Sequence, residues 1–160
     1  MDLLIRSADI GDLPDLRRIF RDAVEVLGPS VYSSAQVAAW AAFADETEFE
    51  GFILGANTSV AEIGAEIVGF CGIEDNGHIT SVYVRPELSR RGIATRLLRF
   101  VMDRSGRPGS GRYHAEASLF SLPLFRRCGF QQVGTESVVR AGVAFERFLV
   151  ERVAGDDGIG

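Results

Sequence analysis

The feature that most constrains this chain is the run Gly77–Met102, GHITSVYVRPELSRRGIATRLLRFVM. It reads as a β-strand, His78 to Val84, then a Pro-containing turn, then an arginine loop, Arg90-Arg91-Gly92-Ile93-Ala94-Thr95, that opens directly into a helix. At such a junction the first helical N–H groups have no partner within the helix, and with the helix dipole they form an anion site. Gly92 lets backbone approach a phosphate, and small Ala94 keeps that approach open. From Arg85 to Arg112 eight Arg face only Glu87 and Asp103, inside a chain of net charge −5. A basic island in an acidic protein points to a small polyanion, since a nucleic-acid surface is more broadly basic.

The remaining chain reads as one domain, residues 1–153, with enough apolar residues (46%) to bury its own core. Leu3 to Arg6 is a first strand, and Asp12-Leu13-Pro14-Asp15 opens a helix with Asp12 as N-cap. Leu13, Leu16, Phe20, Ala23 and Leu27 give that helix one apolar face, and Gly28-Pro29 ends it. Ser33 or Ser34 caps a second helix to about Phe43, and a third runs from Glu46 to Leu54. Thr58–Ile63 and Ile67–Ile73 form a hairpin around Gly64-Ala65-Glu66, and Asp75-Asn76-Gly77 turns into the central strand. Tyr113–Ala117 is another strand, a helix follows Pro123 to Cys128 with Gly129 behind it, and Gln131–Val139 pairs with Val143–Val153 through Arg140-Ala141-Gly142. The expected class is therefore α/β, a mixed, mostly antiparallel sheet of six or seven strands flanked by helices. The tail, Ala154 to Gly160, has nothing to bury and is expected to be disordered.

Several functions are disfavoured. The apolar runs fall short of the ~20 residues a membrane span needs, and the N-terminus shows no secretory pattern, so a cytoplasmic location without membrane partners is expected. Cys71 and Cys128 have neither metal nor redox spacing and are expected as buried free thiols; no metal site is expected. All seventeen basic residues are Arg, which removes a P-loop nucleotidase, and the GRPGSG run follows a helix rather than a strand, which removes a dinucleotide loop.

Val82-Tyr83-Val84-Arg85-Pro86, followed by Arg90-Arg91-Gly92-Ile93-Ala94 and Leu97-Leu98, resembles the acetyl-CoA signature of the GNAT superfamily of N-acetyltransferases. Gly92 and Ala94 match its glycine and small residue, while Ser89 stands where the signature has Gln or Arg. Ser118-Leu119-Phe120-Ser121-Leu122-Pro123-Leu124-Phe125, running on to Gly129-Phe130, resembles the family's helix along the pantetheine arm, with Ser118, Ser121 and Phe125 in place of the usual Asn, Ala and Tyr. Tyr32, Gln36 and Trp40, with the SLPLF run, are similar to a branch of uncharacterised bacterial acetyltransferases. The resemblance implies that strands 78–84 and 113–117 splay apart and that acetyl-CoA, as co-substrate, enters the wedge. Its pantetheine amides would pair with the free backbone of Val82 and Val84, with Tyr83 between them also at the cofactor site, its pyrophosphate would lie on Arg90 to Thr95, and Ser118, Ser121 and Phe125 would line its arm. Tyr32 and Trp40 would line the acceptor pocket, and a homodimer would be in keeping with many relatives.

The chemistry expected of such a fold is direct attack of a primary amine, on a small molecule or peptide, on the thioester. An alkylamine with a pKa of about 10.4 costs roughly 4–5 kcal/mol to deprotonate near neutral pH, which a base or a dry pocket must help supply. Glu74, Asp75 and His78 are the candidate bases. Strict alternation puts His78 and Thr80 on one face with Val82 and Val84, with Tyr83, a candidate acid for the leaving thiolate, on the other. His114 is expected to be structural. A backbone N–H near Tyr83 or Val84 is the expected oxyanion donor. Residues 1–84 hold four Arg against fourteen Asp or Glu, so Glu46, Glu48 and Glu50 are candidates for steering a cationic acceptor. A non-catalytic acyl-CoA-binding or sensing module is the alternative, since it would need the same cradle without the acid–base groups.

Overall fold

The computed structural model describes residues 2–155. Four strands, β1 (Leu3–Ser7), β2 (Asn57–Ile63), β3 (Glu66–Ile73) and β4 (Ile79–Val84), form one antiparallel sheet in that order. Three more, β5 (Arg112–Ala117), β6 (Gln131–Arg140) and β7 (Val143–Val153), form a second in the order β5-β7-β6. The sheets meet where β4 and β5 run parallel, and a single bridge, His78 to His114, joins them. Beyond it β4 and β5 part as a wedge, the splay that the sequence implied.

Five helices cover the sheets: α1 (Leu13–Leu27), α2 (Ser34–Ala41), α3 (Glu48–Leu54), α4 (Ile93–Ser105) and α5 (Leu122–Arg127). Two apolar clusters result. Leu16, Phe20, Phe49, Ile53 and Phe70 pack α1 and α3 on one face of the first sheet. Cys71, Ile79, Leu97, Leu98, Ala115 and Phe125 pack α4, α5 and β5 on the other. On α1 the buried stripe also takes in Ile19 and Val24, whereas Leu27 at the helix end is only half-buried.

Asp12 does not cap α1 as the sequence suggested. Its carboxylate accepts two bonds of 2.8 Å from the Arg6 guanidinium and one from the Asp9 N–H. The local cap is Asp9, which accepts from Gly11 N–H and opens a short 3-10 turn, Ile10–Asp12, ahead of the helix. Ser33 does cap α2, in a reciprocal box: its hydroxyl accepts from Gln36 N–H, and Gln36 Oε1 accepts from Ser33 N–H. The Gln36 amide also donates to Ala144 O, which ties α2 to β7.

The sequence expectation fails in one consequential place, β4. Gly72 pairs with Ser81 but Ile73 pairs with Ile79, so Thr80 is an extra residue, a bulge that interrupts alternation. Thr80 and Ser81 both turn their hydroxyls toward Gly72, on the α1 side, while Val82 and Val84 pack on the α4 side. His78 therefore lies across the sheet from Val82 and Val84, not beside them, and shares its face with Tyr83. Ala154, assigned by sequence to the tail, is buried and donates its N–H to Gly111 O. Residues 156–160, the rest of that tail, lie outside the described residues.

Candidate active site

Where β4 leaves β5, its backbone changes partner. Arg85 N–H donates to Val68 O, which fixes the phase of the ladder, so Tyr83 and Ser81 also bond to β3. The peptide groups of Val82 and Val84 then point away from β3, into the wedge. Tyr83, between them, spends its own backbone groups on Phe70. Only Val84, of the two expected oxyanion donors, has an N–H facing the opening.

At the mouth of the wedge on the α4 side, Arg90 (φ 64°) and Gly92 (φ 82°) adopt left-handed backbone on either side of Arg91. Arg90 does so at a steric cost that Gly92 avoids. The first backbone bond of α4 runs from Arg96 N–H to Gly92 O, so the N–H groups of Ile93, Ala94 and Thr95 precede the ladder. Arg90, Arg91, Arg96 and Arg99 have no ion-pair partner among the described residues. Backbone donors, helix dipole and guanidinium charge thus converge on one exposed turn, which suits a phosphate-bearing ligand. Ser89 takes no part through its backbone, whose N–H donates to Pro86 O.

On the α1 side lies a cavity of about 550 Å³. Its floor is β4 from Ile79 to Tyr83 with Ala115 and Glu116 of β5, and its walls come from α2, α5 and the β6–β7 hairpin. Tyr32 and Trp40, the expected acceptor residues, both line it. The Tyr32 hydroxyl accepts from Leu119 N–H at 2.8 Å, and the ring packs edge-on against Trp40. Trp40 in turn stacks on Phe120 with centroids 5.2 Å apart. Tyr83 reaches the cavity between Phe20 and Phe70, and burial raises its hydroxyl pKa so that it stays protonated. Ser118, Ser121 and Phe125 also line the space. The two serines bond to each other: the Ser118 hydroxyl accepts from Ser121 N–H, and the Ser121 hydroxyl accepts from Ser118 N–H. Of the three acidic residues Glu46, Glu48 and Glu50, only Glu46 lines the cavity.

Glu74 and His78 do not line it. They stand at the wedge apex, where His78 stacks on His114 at 5.0 Å and uses both ring nitrogens. Nδ1 lies 2.7 Å from Glu74 Oε1, and Nε2 lies 2.9 and 3.0 Å from the two Glu116 oxygens. The Glu116 bond, reinforced by Glu74 and opposed by burial, pushes the His78 pKa up to about 9. His78 is an imidazolium at neutral pH, and the bond holds Glu116 below the usual carboxylate range. Glu116 is the residue that sequence reasoning missed. Alternation in Tyr113-His114-Ala115-Glu116-Ala117 puts His114 and Glu116 on one face, and pairing that face with His78 across the splayed strands would have found it.

The acetyltransferase (GNAT) domain family matches residues 29–151. An uncharacterised N-acetyltransferase of Escherichia coli K12, YafP, is 32% identical over 149 residues, covering 93% of this chain and 95% of its own. The crystal structure of a GCN5-related N-acetyltransferase from Rhodopseudomonas palustris superposes with a TM-score of 0.91 at 24% identity, over 96% of each chain. That of the PaiA N-acetyltransferase from Thermoplasma acidophilum, solved in complex with coenzyme A, superposes with a TM-score of 0.79 at 16% identity, over 96% of this chain and 99% of that one. With a matched domain spanning most of the sequence and a relative aligned nearly end to end, the chain belongs to the GNAT family of acetyltransferases.

Proposed function

We propose that the protein transfers the acetyl group of acetyl-CoA directly to a primary amine, in the cytoplasm. The observation that carries this is the wedge itself: Val82 and Val84 turn free peptide groups into it, with the arginine–glycine turn at one mouth and an aromatic-lined cavity at the other. The residues fit the co-substrate. The N–H groups of Ile93, Ala94 and Thr95, with Arg90 and Arg91, would hold its pyrophosphate, and Val82 and Val84 its pantetheine amides. Ser118, Ser121 and Phe125 would border the arm. When bound, acetyl-CoA supplies an acyl thioester open to attack.

The chain's own groups divide the remaining work. Desolvation in the cavity lowers an amine's pKa and so helps to supply the neutral form, against the pull of the carboxylates that also line it. Glu116, on the cavity floor, is the carboxylate placed to take the proton as the attacking nitrogen becomes acidic. His78, already protonated, is not a base in the resting site; it holds Glu116 in position, with Glu74 behind it. The Val84 N–H is the donor for charge developing on the carbonyl oxygen, and the Tyr83 hydroxyl is the neutral donor closest in kind to what a thiolate needs. Both cysteines are buried, and burial raises the Cys71 thiol pKa, which favours direct transfer over a thiol-bound acyl enzyme.

Calorimetric titration with acetyl-CoA tests the cradle. The native chain is expected to bind saturably and Gly92→Glu to lose binding at least about a hundredfold, by bulk and charge at the anion site. Gly92→Ala, which costs about 1–2 kcal/mol of left-handed strain without the charge, should retain most of the affinity. Equal binding by native chain and Gly92→Glu would remove the turn from the site.

A further inference from the structure

The two arginines that line the cavity differ in what they already hold. Arg140, Val138 and Glu136 alternate on one face of β6, opposite Val143, Phe145 and Arg147 on β7. That face is the cavity wall: Phe145 is buried against Tyr32, and Arg147 lies 4.0 Å from Glu116. The opposite face carries Val139, 70% exposed, and Glu146, so the Glu146 carboxylate is directed outward although the residue borders the opening. Arg147 is held by Glu136 as well as by Glu116. Arg140, on the same cavity-facing row, has no ion-pair partner among the described residues.

The Arg140 charge is felt inside the cavity. Burial raises the pKa of the Tyr83 hydroxyl and Arg140 acts on it in the opposite sense, which places the guanidinium within Coulombic reach of that hydroxyl. A guanidinium presents a fork of donors that matches a carboxylate, and beside partly dry aromatic walls the pair is stronger than on an open surface. Spacing then decides where the carboxylate sits on the acceptor. Glu116 pairs with Leu149 on β7 and Arg140 with Val143, about 20 Å further along the strand at roughly 3.3 Å per residue. The two side chains cover part of that distance. An α-amino acid, whose two groups flank a single carbon, is too short for the rest, whereas an extended aliphatic chain spans it. Glu46 also lines the cavity, exposed and with no ion-pair partner among the described residues, so a diamine is the rival that an experiment must separate.

Resting on the transfer reading above, we infer that the acceptor is an ω-amino carboxylic acid, its nitrogen at the Glu116 floor and its carboxylate on Arg140. Arg140 is then a specificity residue that touches the acceptor and takes no part in the proton transfer.

Amines of equal chain length that differ only at the far end test this: 6-aminohexanoate, hexylamine and 1,6-diaminohexane. In the native chain kcat/KM for 6-aminohexanoate is expected to exceed the other two by about tenfold or more, chiefly through KM. Arg140→Gln should bring 6-aminohexanoate to within about threefold of hexylamine, and Arg140→Glu should turn the preference toward the diamine. Trp40, the chain's single tryptophan, lines the same cavity, so its fluorescence in the CoA complex ranks the three ligands without turnover and is expected to give the same order. Hexylamine or the diamine matching 6-aminohexanoate in the native chain, a ratio unchanged in Arg140→Gln, or no response to 6-aminohexanoate in either measurement overturns the inference. Weaker binding of acetyl-CoA by Arg140→Gln would place Arg140 on the donor and overturns it too. Failure of the native chain to bind acetyl-CoA in the calorimetric experiment would instead overturn the transfer reading, and is read separately.

Discussion

His78 carries the largest electrostatic consequence at the scale of single residues. Its pKa rises from an ordinary 6.5 to about 9 on folding, so the folded chain keeps a proton that the unfolded chain releases above pH 6.5. The resulting stability is complete below pH 6.5 and lost as pH climbs through about 9. Glu116 works in the opposite direction: its depressed pKa gives stability present above the unfolded value of 4.5 and lost as pH falls through the lower folded value. Between pH 4.5 and 6.5 both are in place. Urea unfolding is expected to show about 1–2 kcal/mol less stability at pH 9.5 than at pH 6, with the difference largely gone in His78→Gln; solvent screening of half-exposed Glu74 limits the size. Parallel pH profiles for the two proteins would mean that the imidazolium is not clamped. The same pairing explains why the sequence misled here. Two carboxylates, Glu74 just past the end of β3 and Glu116 on β5, 38 residues beyond His78, turn a candidate base into a cation, and no local pattern around Gly77-His78 announces the second.

At the scale of elements, the bulge in β4 decides which side chains meet. A β-carbon on Gly72 would lie 2.5 Å from Thr80 Oγ1, 3.0 Å from Thr58 Oγ1 and 3.1 Å from Ser81 Oγ. Gly72→Ala is expected to cost about 1–3 kcal/mol in chemical denaturation, as overpacking does, and Thr80→Ala in the same chain to recover much of it. An unchanged midpoint in Gly72→Ala would mean that the bulge has room to spare. Most elements were legible from sequence because their signals are local: the apolar spacing of α1, the Ser33 cap of α2, Gly92 ahead of α4, and the Ala141-Gly142 turn, whose two positive φ values fit a two-residue hairpin loop. The features that escaped are those set by a partner strand. Asp12 gave up capping because Arg6 on β1 claims its carboxylate, and the face of His78 changed because β3 and β4 pair out of step by one residue.

For the whole molecule, what matters is that two sheets share one bridge and then part. Each sheet has its own hydrogen-bonded ladder, and one apolar cluster runs beneath both, so the wedge between β4 and β5 stays open without exposing an unsupported core. The phosphate-suited turn was legible in the sequence as one continuous stretch. The acceptor cavity was not, because its lining comes from five separated segments, and only Tyr32 and Trp40 were expected to line an acceptor pocket. An opening reached from both sides predicts that donor and acceptor occupy it together. An initial-rate grid varying acetyl-CoA and a primary amine that the protein acetylates, with the acetamide product and free CoA thiol both quantified, tests this most directly. Direct transfer requires one thiol released per acetamide formed and double-reciprocal lines that intersect, as for a ternary complex. Parallel lines, with acetyl group retained on the protein in the absence of amine, would contradict it.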